Sequence, residues 1–159
     1  MDEGEFDGWY RREHPRIANS LYLICGSVDV ARDTTDEAFC RAAARWSRVR
    51  KMESPTAWTF KVGLNLVRRE LRRRRREVDA VGRIRAPASA PAELPDSDLW
   101  LAVGALPDRQ RHAVVLRYVG DLPEAEIAKI LGVARGTVAS NLARARDTLA
   151  SRLLEQETQ

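Results

Sequence analysis

Cysteine, histidine and long apolar runs are the scarce features of this 159-residue chain. Its two cysteines, Cys25 and Cys40, and two histidines, His14 and His112, lack the short spacing of a zinc site. No metal and no cofactor is therefore expected, and both thiols are read as small buried hydrophobes. No apolar run is long enough to span a bilayer and no secretory leader is evident, so the expected location is the cytoplasm. Sustained strand alternation is missing, as is any internal repeat, which leaves an all-α fold. Ser20, Ser27, Ser47, Ser54, Ser89, Ser97, Ser140 and Ser151 have no nearby histidine and no glycine-rich strand turn, so no nucleophilic enzyme is read here.

Charge is plentiful and unevenly placed. The net charge is only +4, yet residues 1–40 hold nine acids against four arginines, while residues 41–76 hold thirteen Lys or Arg against Glu53 and Glu70. A basic block beside an acidic one implies separate surfaces for a polyanion and for a different partner. Between Val78 and Pro95 periodicity fades and Pro87, Pro91, Pro95, Gly82 and Ser89 gather, which reads as a linker between two small helical units, residues 1–77 and 96–159.

Three helical segments are expected upstream of that linker. The first spans about Phe6 to Leu23, with Pro15 bending or dividing it, and carries Trp9, Ile17, Leu21 and Ile24 on its apolar positions. The second runs from about Asp29 to Trp46, with Phe39, Ala42, Ala43 and Trp46 on one face. Its acids Asp33, Asp36 and Glu37 either complement the helix macrodipole or form a docking surface for a basic partner. The third is expected from Ser54 as N-cap and Pro55 to about Glu77. Two apolar rows, Trp58–Val62–Leu66 and Phe60–Leu64–Val67–Leu71, predict a wide buried face. The opposite stripe, Lys61, Asn65, Arg68, Arg72 and Arg75, is cationic with few balancing acids, and the run Arg72 to Arg76 would repel itself without a polyanion such as nucleic-acid phosphate.

Downstream, Leu122 to Leu149 reads as a helix-turn-helix. Pro123 suits a first turn, Ile127, Ile130 and Leu131 form one stripe, Gly132 ends the helix and Val133 fills the corner. Val138, Leu142, Ala145, Leu149 and Leu153 form the second stripe. The faces left over offer Arg135, Thr137, Ser140, Asn141 and Arg144, side chains able to reach base edges and phosphates in a major groove.

In this order the parts resemble an extracytoplasmic-function sigma factor, the small promoter-specificity subunit of bacterial RNA polymerase. ARDTTDEAFCRAAARW at 31–46 is similar to the family's core-polymerase-binding helix, and SPTAWTFKVGLNLVRRELRRRRR at 54–76 to its promoter-melting and minus-10 helix. Residues 99–149 are similar to region four, which reads the minus-35 element. The resemblance implies that Asp33, Asp36, Glu37, Phe39 and Trp46 dock on core RNA polymerase. It implies that Arg50, Lys51, Ser54, Lys61, Asn65, Arg68, Arg69 and Arg72 hold minus-10 DNA, with the 50–54 loop receiving an unstacked base and Trp58 packing inside. Arg135, Thr137, Ser140, Asn141 and Arg144 would engage minus-35 DNA, and an anti-sigma factor is a further candidate partner. Thr34, Thr35 and Asp36 stand where the family usually has apolar residues and Gln, and Ala134 stands in place of the usual Ser cap. The rivals are a helix-turn-helix regulator acting as a dimer without polymerase, and a recombinase-type enzyme, which would need an α/β catalytic domain. Neither a dimerisation coil nor such a domain is visible.

Overall fold

The structure, a computed structural model, describes residues 3–81 and 97–158. Among them are eight α-helices and no strand, divided into two units with separate cores.

In the first unit α1 (Glu3–Cys25), α2 (Val28–Ala44), the short α3 (Trp46–Val49) and α4 (Pro55–Val81) surround an apolar centre. Helix α1 runs unbroken through Pro15, so the chain neither divides nor ends there. A mid-helix proline costs about 3 kcal/mol. Burial of Trp9, Ile17, Leu21, Leu23 and Ile24 on one face offsets that cost. Gly26, with φ of 71°, then reverses the chain in a conformation that favours glycine. Ser27 caps α2 by accepting from the Val30 N–H.

Helix α2 stops at Ala44 rather than reaching Trp46. Arg45 adopts φ −122° and ψ 23°, and this turn sets the Trp46 ring against Trp9 at 4.8 Å and Phe6 at 5.2 Å. Phe39 joins the same cluster, 5.1 Å from Trp9 and 5.0 Å from Tyr10. Trp9 Nε1 donates to Thr56 Oγ1 at 3.2 Å, tying α1 to the start of α4.

The buried face of α4 is narrower than its two apolar rows suggest. Phe60, Leu64 and Val67 are buried, whereas Trp58, Val62, Leu66 and Leu71 are half-buried. Gly63 sits where a Cβ would come within 2.8 Å of Leu21 Cδ1, so its absence permits the close approach of α4 to α1. Helix α4 also continues four residues beyond Glu77, so Val78–Val81 are helical where the linker was expected to begin. No breaker precedes Gly82, and ion pairs among Glu70, Arg73, Arg74 and Glu77 stitch the last turns. The remainder of the expected linker, 82–95, lies outside the described residues.

In the second unit α5 (Ser97–Gly104), α6 (Asp108–Tyr118), α7 (Glu124–Leu131) and α8 (Arg135–Glu157) pack around Val103, Leu106, Val115, Leu116, Leu122, Ile127, Val138 and Leu142. Pro123 is the residue before α7, not its first turn. Gly132 closes α7 in the left-handed region with φ of 67°. Arg152 Nη1 donates to the Ala102 carbonyl at 3.3 Å, holding the far part of α8 on α5.

Thr34 and Thr35 are both interior, 7 % and 0 % exposed, so they shape the packing of α2 and not its outer surface. Thr34 Oγ1 donates to the Val30 carbonyl at 2.6 Å, while Thr35 Oγ1 is buried without a partner among the described residues. An unsatisfied buried hydroxyl costs about 1–3 kcal/mol, and valine keeps the branched shape. Thr35→Val is expected to stabilise the first unit by about 1 kcal/mol, read as a higher urea midpoint with an unchanged m-value; a lower midpoint would show that the hydroxyl is satisfied in solution.

Candidate nucleic-acid interface

Ser54 and Pro55 start α4 as their chemistry dictates: Ser54 Oγ accepts from the Ala57 N–H at 3.0 Å. The Ser54 oxygen is thus committed to the cap. From there Lys61, Asn65 and Arg72 stand exposed, with Arg68 half-buried among them, so helical spacing presents one polar, cationic row to solvent. None of the four makes an ion pair among the described residues.

The arginine run is not uniform. Glu70 receives Arg73 at 2.6 Å and Arg74 at 3.0 Å, and Arg73 also reaches Glu77. Two of the five arginines therefore find counter-charge within the helix and do not require a polyanion. Arg72, Arg75 and Arg76 have no such partner among the described residues. The hydrogen bond from Arg73, reinforced by Arg74 and by both positive charges, lowers the Glu70 pKa to about 2, and the same contacts raise that of Arg73.

Arg50 and Lys51, exposed in the turn before α4, differ from each other. Arg50 Nη1 binds Glu5 Oε2 at 2.8 Å, linking the start of α1 to this turn, whereas Lys51 is unpaired among the described residues. Arg45 and Arg48, which helix periodicity does not single out, are exposed beside them and equally unpaired. The three-residue spacing of Arg45, Arg48 and Lys51 was the available signal.

Along α2 and into α3 the acids and the aromatics separate. Asp33, Asp36 and Glu37 are exposed; Phe39 and Trp46, at 3 % and 4 % exposure, lie in the aromatic cluster and offer no surface to a partner. Amphipathic spacing brings Phe39 inward, and the Arg45 turn does the same for Trp46. His14 Nε2 pairs with Asp36 Oδ1 at 3.1 Å and Arg41 with Glu37 at 2.8 Å, while Asp33 has no ion-pair partner among the described residues.

In the second unit the helix-turn-helix is α7 and α8. Arg135, Ser140 and Arg144 are exposed on α8, and Thr137 and Asn141 are half-buried on its flank. Ser140 Oγ donates back to the Gly136 carbonyl at 3.0 Å, leaving its lone pairs outward. Ala134 precedes α8 without a side-chain cap. Tyr118, 57 % exposed, accepts from Arg146 Nε at 2.7 Å, which holds Arg146 on α6.

The Glu70 clamp makes a pH expectation. A carboxyl lowered from 4.5 to about 2 contributes stability above its unfolded value, and that contribution is lost as pH falls through about 2. A carbon-13 carboxyl titration should place the Glu70 midpoint near pH 2; a midpoint near 4.5 would mean that Arg73 and Arg74 do not hold it in solution.

Residues 9–77 match sigma-70 region 2 and residues 97–149 match sigma-70 region 4. The chain is 33 % identical over 144 residues to the ECF RNA polymerase sigma factor EcfG of Rhodopseudomonas palustris, covering 87 % of this chain and 80 % of that protein. It is 30 % identical over 161 residues to the ECF RNA polymerase sigma factor SigM of Mycobacterium tuberculosis, covering 94 % of this chain and 77 % of that one. Among solved structures it resembles the sigma factor RpoE of Bartonella quintana, crystallised with the anti-sigma factor NepR, with a TM-score of 0.80, 27 % identity and coverage of 94 % and 96 %. It shares its fold with CnrH, solved with the cytosolic domain of CnrY, at a TM-score of 0.64 and 21 % identity, over 98 % of this chain and 90 % of that one. Two sigma regions in the right order on two helical units, together with relatives spanning nearly the whole chain, place this protein in the ECF RNA polymerase sigma factor family.

Proposed function

We propose that this protein is a promoter-specificity subunit that binds core RNA polymerase, engages minus-10 DNA through α4 and minus-35 DNA through α8, and promotes melting at the start of transcription. The single observation behind the residue assignment is the sorting of surface chemistry in the first unit: exposed acids on α2, and on α4 a row of Lys61, Asn65, Arg68 and Arg72 that makes no ion pair among the described residues. Acids suit a basic protein surface, and the cationic row suits phosphate with one amide able to hydrogen-bond a base.

The polymerase contact falls to Asp33, Asp36 and Glu37, since Phe39 and Trp46 are interior. The turn carrying Arg50, Lys51 and Ser54 leads into α4 and would receive an unstacked non-template base, with Arg50 already oriented by Glu5. Melting requires no covalent chemistry from this chain. Preferential binding of the opened strand shifts the equilibrium by its differential affinity, and polymerase supplies the catalysis. In the second unit Arg135, Thr137, Ser140, Asn141 and Arg144 would meet the major groove and its phosphates. No described helix is long and apolar enough to cross a membrane, and work beside polymerase fits a cytoplasmic location. Since the similar RpoE was crystallised with an anti-sigma factor, a protein inhibitor is a candidate regulator here too.

Run-off transcription with core polymerase and a promoter library tests the reading: transcripts should depend on adding this protein. Tight promoter binding by the protein alone, unchanged by core enzyme, would favour the dimeric regulator instead. In the holoenzyme, Arg68→Ala with Arg72→Ala should reduce permanganate reactivity of minus-10 thymines and flatten the salt dependence of opening, by up to roughly one unit of slope for each phosphate the variant no longer neutralises. Unchanged reactivity would return this row to plain solvation.

Arg144→Ala should weaken binding to minus-35 duplex by about 1–3 kcal/mol if the guanidinium reads a base, and by less if it meets phosphate alone. Gel-shift titration of wild type and variant holoenzymes on duplexes altered at single minus-35 positions separates the cases, and equal affinity of both proteins for every duplex would remove Arg144 from the interface.

A further inference from the structure

Most ion pairs of the first unit run along a single helix. Among the described residues two join separate elements, His14–Asp36 and Glu5–Arg50. The second stands at the turn that leads into α4. Arg50 Nη1 meets Glu5 Oε2 at 2.8 Å, both side chains stay nearly half exposed, and the partners are 45 residues apart. Around the same turn Arg45, Arg48 and Lys51 are exposed and make no ion pair among the described residues. Glu5 therefore closes on one cation out of four.

Local chemistry does not account for this contact. Residues 1–10 hold four acids and no Lys or Arg, and acids in a first turn complement the helix macrodipole. That explains why Glu3 and Glu5 are acidic, but not why Glu5 reaches Arg50. The reach comes from Phe6, whose ring lies 5.2 Å from Trp46 and 5.7 Å from Trp9 and so docks the start of α1 beside α3. The pair lines a cleft of about 330 Å³ together with Gly8, Trp9, Trp46 and Pro55. A Cβ at Gly8 would meet nothing within 4 Å, so packing does not require a glycine there. Gly8, like Gly4 one turn earlier, instead weakens the first turns of α1.

A carboxylate at this place works against a nucleic-acid strand. A phosphate approaching Arg50 meets Glu5 as a like charge, and the guanidinium has to exchange one anion for another. We propose that Glu5 is an acidic latch on Arg50: the first two turns of α1 stand in for phosphate at this turn and give way when the opened strand arrives. The inference rests on the reading of Arg50 as a DNA contact and adds to it a brake carried by the same chain. Exposed ion pairs are weakly held, so a strand already engaged by the α4 row is able to displace Glu5. Phe6 sets the closed position, and Gly4 and Gly8 make these turns the part of α1 that yields. Glu5 is thus a positioning residue that acts through Arg50.

The test is promoter opening by holoenzymes assembled from core RNA polymerase and the full-length chain, read as permanganate reactivity of minus-10 thymines on a promoter that wild type opens incompletely. Glu5→Gln should raise opening by about two- to fivefold, the range one exposed ion pair can hold. The gain should shrink at higher salt, which already loosens the pair in wild type. Asp7→Asn removes the same charge from an exposed neighbour that makes no ion pair among the described residues, and should open as wild type does. Arg50→Ala should reduce opening, and adding Glu5→Gln to it should change nothing further. Opening by Glu5→Gln at or below the wild-type level, an equal gain from Asp7→Asn, or a gain that persists without Arg50 overturns the latch. Impaired Arg50→Ala beside an unchanged Glu5→Gln sinks the latch alone, whereas Arg50→Ala opening as wild type removes Arg50 from the DNA interface and the latch with it.

Discussion

Helix α4 has to bury one narrow row of side chains while keeping eight cations, Lys61, Arg68, Arg69 and Arg72 to Arg76, out of the core. Much of the first unit follows from that constraint. Phe60, Leu64 and Val67 are sealed inside the unit, and Gly63 opposite Leu21 permits the close approach of α1. The start of α4 is then fixed from two directions, by its own Ser54 cap and by Trp9 donating to Thr56. Trp9 is in turn held by Trp46 and Phe39. A single aromatic cluster thereby sets where the cationic helix begins, and so which of its residues face outward.

Internal ion pairs decide which charges remain for partners. Surface pairs contribute little stability, with typical values of about 0–1 kcal/mol, but they hold long side chains in place. Glu70 and Glu77 occupy Arg73 and Arg74, Glu5 orients Arg50, and His14 stands beside Asp36. The cations without an ion pair among the described residues, Arg45, Arg48, Lys51, Lys61, Arg68, Arg69, Arg72, Arg75 and Arg76 among them, carry the long-range field that attracts a polyanion. Division of labour within one short helix thus comes from acids placed three and four residues from selected arginines.

The second unit solves a simpler problem. Its recognition helix is held by Val138, Leu142 and Ala145 on α6 and α7, and by Arg152 and Arg146 farther along, so α8 can present Arg135, Ser140 and Arg144 from a rigid support. Side chains on a helix fixed at both ends can meet a groove with little further ordering cost.

Periodicity by itself determined that the chain is helical, where the helix-turn-helix lies, and that one face of α4 is cationic, because side-chain direction on a helix follows from spacing alone. Caps at Ser54 and Gly132 were equally legible, since capping is local chemistry. Continuity through Pro15, the break at Arg45 and the burial of Thr34, Thr35, Phe39 and Trp46 depended on contacts between helices distant in sequence. So did the Glu5–Arg50 pair, 45 residues apart. Helical spacing says which residues share a face; only the packing of helices decides what that face meets.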